Sequence, residues 1–232
     1  MEATAIIVAA GEGSRIGGAV AKPYLPIAGR PLILHTLDRF ASARTIARIV
    51  LVVAADHLEL CETMIREDPV SGALRWVLQP GGASRQESVS EGLGRVTTDC
   101  ELVVIHDGVR PFVSGSLIDR CVNEAQEKGA VVVGLPARDT IKVVSETRKV
   151  QSTLERAALW EIQTPQAFHL ELIVKAHRWA RDNGIHATDD AALVERFGTS
   201  VYVLDGERTN IKVTVPEDLL FAEALIREGK IG

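Results

Sequence analysis

The chain has 232 residues, a formal charge of −5, and 46% hydrophobic but only 4% aromatic residues. That is enough apolar material for one α/β core, and a charged fraction of 25% without low-complexity tracts excludes a disordered chain. The acidic balance argues against nucleic acid or an anionic membrane as partner, so any phosphate must be met by local cations.

Met1-Glu2-Ala3-Thr4 lacks the positive region of a signal peptide, and no run approaches the roughly 18 apolar residues of a membrane span, so a cytoplasmic location is expected. Cys61, Cys100 and Cys121 are scattered and odd in number, which suits buried cytosolic thiols rather than a disulfide framework or a metal site.

Taken in chain order, an apolar run at 4–9 reads as a strand, 31–40 as a helix, 46–54 as a strand and 58–67 as a helix. Strand 74–78, helix 84–93, strand 102–106, helix 114–128 and strand 130–135 continue the alternation, with Gly129 standing where a helix stop is expected. The strand runs are apolar at successive positions, the habit of parallel strands covered on both faces. A three-layer, Rossmann-like, doubly wound α/β sandwich with a mostly parallel central sheet is therefore expected, with ligands beyond the carboxyl ends of the strands. At 140–144 and 150–154, two β-prone stretches flank a polar turn, a hairpin too polar for a core. It reads as a projecting arm, residues 137–158 within a single domain spanning 1–232, that packs on another subunit. Helices at 170–182 and 189–197, strands at 200–204 and 210–213, and a helix opened by Pro216 follow.

The first strand ends in Ala9-Ala10-Gly11-Glu12-Gly13-Ser14-Arg15-Ile16, a glycine-rich turn whose backbone N–H groups can approach an anion. Ile16 occupies the third glycine position of a dinucleotide fingerprint, no acidic residue follows at the required distance, and the closing Gly-Lys-Ser/Thr of a P-loop is absent. Instead the loop carries Arg15 and Lys22, two cations suited to the charge that grows on a triphosphate during in-line displacement. Asp107 ends an apolar strand at the ligand edge, where a carboxylate can order a magnesium-bound triphosphate. The neighbouring His106 has no zinc-type spacing with the other histidines and reads as a packing or hydrogen-bonding residue. The turn 81–88 opens a helix, and its backbone groups suit a pyrimidine edge.

The loop resembles the Ala-Ala-Gly-x-Gly-x-Arg…Lys signature of nucleotide-sugar-type nucleotidyltransferases. His106-Asp107-Gly108-Val109-Arg110, Arg138-Asp139-Thr140, Arg156 before Leu159-Trp160, Gln163-Thr164-Pro165-Gln166, Thr188-Asp189 and Asn210-Ile211-Lys212-Val213-Thr214 follow in order. Together they resemble the 2-C-methyl-D-erythritol 4-phosphate cytidylyltransferases of the non-mevalonate isoprenoid pathway, from about residue 4 to 226. The resemblance implies transfer of CMP from CTP to a small sugar-alcohol phosphate with release of pyrophosphate. Arg15, Lys22 and Lys212 would stabilise the transition state, with Asp107 and Arg156 assisting. Ala9, Ala10, Gly11, Gly13, Gly82, Arg85, Ser88, Asp107 and Gly108 would bind CTP. Asp107, Arg110, Thr140, Arg156, Thr164, Thr188 and Lys212 would bind the acceptor. Magnesium would be held mainly by the CTP phosphates, and a homodimer would share each active site across subunits. A phosphate acceptor is already a nucleophile, so positioning and electrostatics would replace covalent catalysis, and no Ser-His-Asp or Cys-His grouping is evident.

Departures from the family pattern are Ile16, Ala21-Lys22-Pro23 and the Gly108-Val109 pair. Val109 is reminiscent of ribitol 5-phosphate cytidylyltransferases, the nearest alternative, against which stand Arg156 and Leu159-Trp160. A non-catalytic nucleotide-binding subunit would be expected to lack one of the three cations, all of which are present. A nicotinamide-dependent dehydrogenase would need the missing fingerprint residues.

Overall fold

The computed structural model describes residues 2–11, 20–97 and 99–229. β1 (Ala3–Ala9) leads to a short antiparallel pair, β2 (Pro26–Ile27) and β3 (Arg30–Pro31), and then α1 (Leu32–Ser42). β4 (Ile46–Val53), α2 (Leu58–Glu67), β5 (Trp76–Pro80), α3 (Arg85–Leu93), β6 (Leu102–Asp107), α4 (Gly115–Lys128) and β7 (Ala130–Pro136) keep the expected alternation. β8 (Lys142–Val144) and β9 (Val150–Thr153) form the hairpin. β10 (Trp160–His169), α5 (Leu170–Asp182), α6 (Asp190–Arg196), β11 (Tyr202–Asp205) and α7 (Pro216–Arg227) follow.

Among the described residues seven strands pair in the order β11-β7-β10-β6-β1-β4-β5. β1 runs parallel to both β4 and β6, β4 to β5 and β7 to β11, whereas β10 lies antiparallel between β6 and β7. The chain thus winds outward from β1 in one direction and then returns to its other side, which opens a crevice beyond the carboxyl ends of β1 and β6.

The apolar strand runs exist because both sheet faces are covered. Ala5 and Ile7 of β1 join Leu37, Phe40, Ile65 and Ile118 on one face, while Ile6 joins Val89, Phe168, Ile173 and Leu193 on the other. Helices α1, α2 and α4 therefore cover one side, and α3, α5 and α6 the other. Each buried aliphatic side chain of this size contributes roughly 1.5–3 kcal/mol by leaving water. A third cluster, with Ile27, Leu32, Phe112, Val213, Ala222 and Leu225, seats α7 against the loop that follows β6. Helix ends are marked in the sequence: Ser84 and Ser114 accept from the Glu87 and Leu117 N–H groups at 3.1 and 3.0 Å, and Gly129 ends α4 at φ +83°.

One strand falls where none was expected, and one expected strand is absent from the ladders. Residues 160–169 form a ten-residue strand inside the sheet, although Pro165 lies in it and proline normally argues against a central strand. A register shift against β7 between Gln163 and Gln166 accommodates the missing donor. Residues 210–213, expected as a strand, join no ladder. The Val213 N–H donates to the Val109 carbonyl at 2.9 Å, and Val213 is buried in the third cluster instead of the sheet.

Helix α3 approaches β1 and β4 so closely that a Cβ on Gly92 would lie 2.6 Å from Ile6 Cγ2 and 3.0 Å from Val52 Cγ2. Both neighbours are fully buried β-branched residues with stiff rotamers. Gly92→Ala is expected to destabilise the fold by about 1–3 kcal/mol, read as a lower urea midpoint at unchanged slope.

Candidate active site

The crevice at the reversal point is a cavity of about 570 Å³. Ala9, Ala10 and Gly11 reach it from the end of β1, Asp107 from the end of β6, and Ser84 and Arg85 from the turn into α3. Lys22 and Lys212 enter from two loops far apart in sequence. A larger depression of about 860 Å³ lies at the opposite edge, around Thr4, Arg48 and Trp76 at the strands' amino ends. Ligands of doubly wound sheets bind at the carboxyl edge, so position outweighs size here.

Gly108 lets the two central strands end side by side. Its N–H donates to the Val8 carbonyl at 2.8 Å, and a Cβ would lie 3.0 Å from Ala9 Cβ and 3.1 Å from that carbonyl oxygen. The neighbouring carboxylate is held by two cations. Asp107 Oδ1 accepts from Arg85 Nε at 2.9 Å and Oδ2 from Lys212 Nζ at 2.7 Å. Burial alone would raise the Asp107 pKa, but Arg85 and Lys212 outweigh it and hold the carboxyl well below the usual range. Lys22, itself buried, donates from Nζ to the Thr214 carbonyl at 3.2 Å, two residues beyond Lys212. Lys22, Arg85 and Lys212 against Asp107 make the cavity cationic in a chain whose net charge is −5.

Beneath this layer the Gln163-Thr164-Pro165-Gln166 motif acts as a hub. The Thr164 hydroxyl accepts from the Asp107 N–H at 3.1 Å and donates to His106 Nδ1 at 3.0 Å. His106 Nε2 in turn donates to the Arg110 carbonyl at 3.1 Å, so a neutral ring satisfies every partner. Burial pushes the His106 pKa down to about 4. Asn210 donates to the Gln163 side chain and the Thr164 carbonyl at 3.2 and 2.8 Å, and its own carbonyl accepts from Arg110 Nη1 at 2.8 Å. These contacts fasten the loop carrying Lys212 to the sheet.

The structure therefore brings Ala9, Ala10, Gly11, Lys22, Gly82, Arg85, Ser88, Asp107 and Lys212 to one cavity. Gly13 and Arg15 lie outside the described residues. Arg85, expected to contact the base, has its guanidinium engaged with Asp107 and Asp190. Thr164, expected to donate to the acceptor, is 4% exposed with its hydroxyl committed as above, and so supports Asp107 from below. Arg110, expected to bind the acceptor, follows β6 and turns back to Asn210, leaving its buried Nε without a hydrogen-bond partner. Thr140 and Arg156 are exposed on the arm, and Arg156 Nη1 donates to the Arg138 carbonyl at 2.9 Å. Thr188 is exposed ahead of the Asp189 cap of α6. His177 and Asp190, which sequence reasoning passed over, join the charged group from behind: His177 Nε2 donates to Asp190 Oδ1 at 3.0 Å. Neither has a motif, and both read as ordinary helix residues. Among the described residues, no group of three or more His, Cys, Asp or Glu side chains could hold a metal ion.

A cationic crevice of nucleotide size at the turning point of such a sheet attracts phosphorylated ligands, which defines the class: an α/β nucleotide-binding enzyme. Residues 3–228 match the family model of IspD, 2-C-methyl-D-erythritol 4-phosphate cytidylyltransferase. The enzyme of that name from Desulforamulus reducens is 44% identical over 223 residues, covering 96% of this chain and 95% of its own. The crystal structure of the Thermus thermophilus enzyme of that name superposes with a TM-score of 0.80 at 36% identity, covering 98% of this chain and 100% of that one. A 4-diphosphocytidyl-2C-methyl-D-erythritol synthase structure from Anaerococcus prevotii gives 0.85 at 32% identity, covering 97% and 98%. The chain belongs to the 2-C-methyl-D-erythritol 4-phosphate cytidylyltransferase family, and it is a nucleotidyltransferase.

His106 gives the site a pH signature. Its folded pKa lies below that of a free histidine, so the unfolded chain binds the proton first and stability falls as pH drops from about 6.5 toward 4. The unfolding free energy should decline by up to about 1.4 kcal/mol per pH unit there. Urea titrations at several pH values should show that slope in the native sequence and its loss in His106→Gln.

Proposed function

We propose that the chain transfers CMP from CTP to 2-C-methyl-D-erythritol 4-phosphate by direct in-line attack. An acceptor phosphate oxygen forms the new bond to the α-phosphorus. The bond from that phosphorus to the bridging oxygen breaks, and its electron pair leaves with pyrophosphate. The observation that carries this reading is the meeting of Lys22 and Lys212 in one cavity with Asp107. Two ammonium groups from distant loops suit charge that builds on the attacked phosphate and its leaving group. Arg15, seven residues before Lys22 in the sequence, is assigned the same task on the strength of the family motif.

The backbone of Ala9, Ala10 and Gly11 would approach the phosphates, and Gly82 and Ser88 the cytosine. Ser88 Oγ already accepts from the Gly82 N–H at 3.2 Å, which fixes the shape of that turn. Arg110, with its unpartnered buried Nε–H, and Lys212 would meet the acceptor phosphate. Magnesium fits the residues present: among the described residues the cavity offers one ionised carboxylate, Asp107, and magnesium takes few carboxylates together with phosphate oxygens. When bound on CTP, it would neutralise phosphate charge and fix the triphosphate's shape.

The arm at 137–158 is proposed to join two copies into a homodimer. Ile141, Val143, Val144, Val150 and Leu154 are all exposed on it, an apolar set that solvent does not favour. Thr140 and Arg156 from one copy would then complete the acceptor site of the other, which accounts for their absence from the cavity of their own subunit. A cytoplasmic setting agrees with water-soluble phosphorylated substrates and with the free thiols of Cys61, Cys100 and Cys121. Among the described residues no helix is long and apolar enough to cross a membrane.

Pyrophosphate release, measured for each nucleoside triphosphate with methylerythritol phosphate or ribitol phosphate, should be fastest for CTP with the former. A clear preference for ribitol phosphate would overturn the acceptor assignment. Lys22→Ala and Lys212→Ala should each lower kcat roughly 100-fold or more, and near-normal turnover in both would remove their transition-state role. Mixing the inactive Lys22→Ala and Arg156→Ala proteins should recover part of the activity. No recovery despite subunit exchange would argue against a shared site.

A further inference from the structure

The ion pairs around Asp107 continue past the cavity wall. From the solvent side inward, Lys212 Nζ meets Asp107 Oδ2 at 2.7 Å, Asp107 Oδ1 meets Arg85 Nε at 2.9 Å, and Arg85 Nη1 meets Asp190 Oδ2 at 2.7 Å. Asp190 Oδ1 then accepts from His177 Nε2 at 3.0 Å. Side-chain exposure is 41% at Lys212, 10% at Asp107 and 26% at Arg85, but only 1% at Asp190 and 4% at His177. Neither of the last two lines the cavity, and the reaction described above gives them no task.

A buried carboxylate is retained only with compensation, and Asp190 has two donors, one on each oxygen. Its place is set by the fold rather than by its own rotamer alone. Asp190 is the first residue of α6, and Arg85 the first of α3. Gln166 on β10 fixes the start of α6, donating to Asp189 Oδ2 at 2.8 Å and accepting from the Ala191 N–H at 3.2 Å. Gln86 fixes α3 to the segment before α6, donating to the Ile185 carbonyl and accepting from the Ala187 N–H, both at 3.1 Å. Two glutamine clamps thus bracket the Arg85–Asp190 pair. With Nη1 held by Asp190, the guanidinium plane has one orientation in which Nε–H reaches Asp107.

We propose that Asp190, braced by His177, is a positioning residue for cytidylyl transfer: it fixes the Arg85 guanidinium, which orients Asp107 and through it Lys212. Burial alone would raise the Asp190 pKa, yet Arg85 and His177 hold it below its usual value, in keeping with a permanently charged anchor. The inference rests on the proposed reaction, because its effect is read at Lys212.

A double-mutant cycle tests it by pyrophosphate release with CTP and methylerythritol phosphate. Asp190→Asn should lower kcat roughly 10- to 100-fold, with the Michaelis constants of both substrates changed far less. If Asp190 acts through Arg85, adding Asp190→Asn to Arg85→Ala should cause no further loss, or a partial recovery as an unpaired buried carboxylate is removed. A merely structural role predicts losses that multiply. Should Asp190→Asn not fold, His177→Gln takes its place in the cycle, with a smaller loss that again vanishes in the Arg85→Ala background. Unchanged kcat in the single variants, or multiplying losses, would overturn the proposal. No turnover by the native sequence would instead overturn the reaction itself.

Discussion

The site depends on a carboxylate kept ionised at the edge of an apolar sheet. Asp107 follows five fully or nearly fully buried residues of β6, and a lone charge in that position would be costly or would take up a proton. Arg85 and Lys212 prevent this, and the alternation of sign from Lys212 through Asp107 and Arg85 to Asp190 keeps like charges from adjoining along that line. The consequence for function is a cavity whose cations are held in place before any ligand arrives. Preorganised charge of this kind acts without reorganisation during the chemical step, where water would have to reorient.

Everything that fixes this group comes from the sheet's order of strands. Because β1 pairs with β4 on one side and β6 on the other, the end of β1, the turn after β5 and the end of β6 face one crevice. The antiparallel β10 adds what a purely parallel sheet would lack. It sends Gln163, Thr164 and Gln166 under the crevice, where they reach Asn210, His106, the Asp107 N–H and the start of α6. One polar motif on one strand thereby links the loop of Lys212, the end of β6 and the anchor of Arg85. Such a network rigidifies when each member has a partner.

The arm obeys different physics. β8 and β9 are exposed throughout, and a two-stranded hairpin without a covered face is marginal in water. Its apolar residues are exposed and join no core cluster among the described residues, which supports the proposed contact with another copy. The acceptor-binding roles proposed for Thr140 and Arg156, both on the arm, rest on the same contact.

Local sequence determined the alternating strands and helices, the hairpin, and the Gly129 stop of α4, because burial on two faces, helix caps and positive-φ positions each leave a short-range mark. It also pointed to Lys22, Asp107 and Lys212 through motif resemblance. It did not determine β10, whose Pro165 and glutamines look unlike a buried strand until the register shift is seen. It assigned residues 210–213 to a ladder, although Val213 is apolar for the sake of a cluster with α7. Nor did it reveal that Thr164 faces inward to His106 or that Asp190 and His177 stand behind Arg85. Those contacts join residues 58, 105 and 13 positions apart. Their geometry arises only when helices on one face of the sheet dock against strand ends, so tertiary packing alone decided which polar groups became partners.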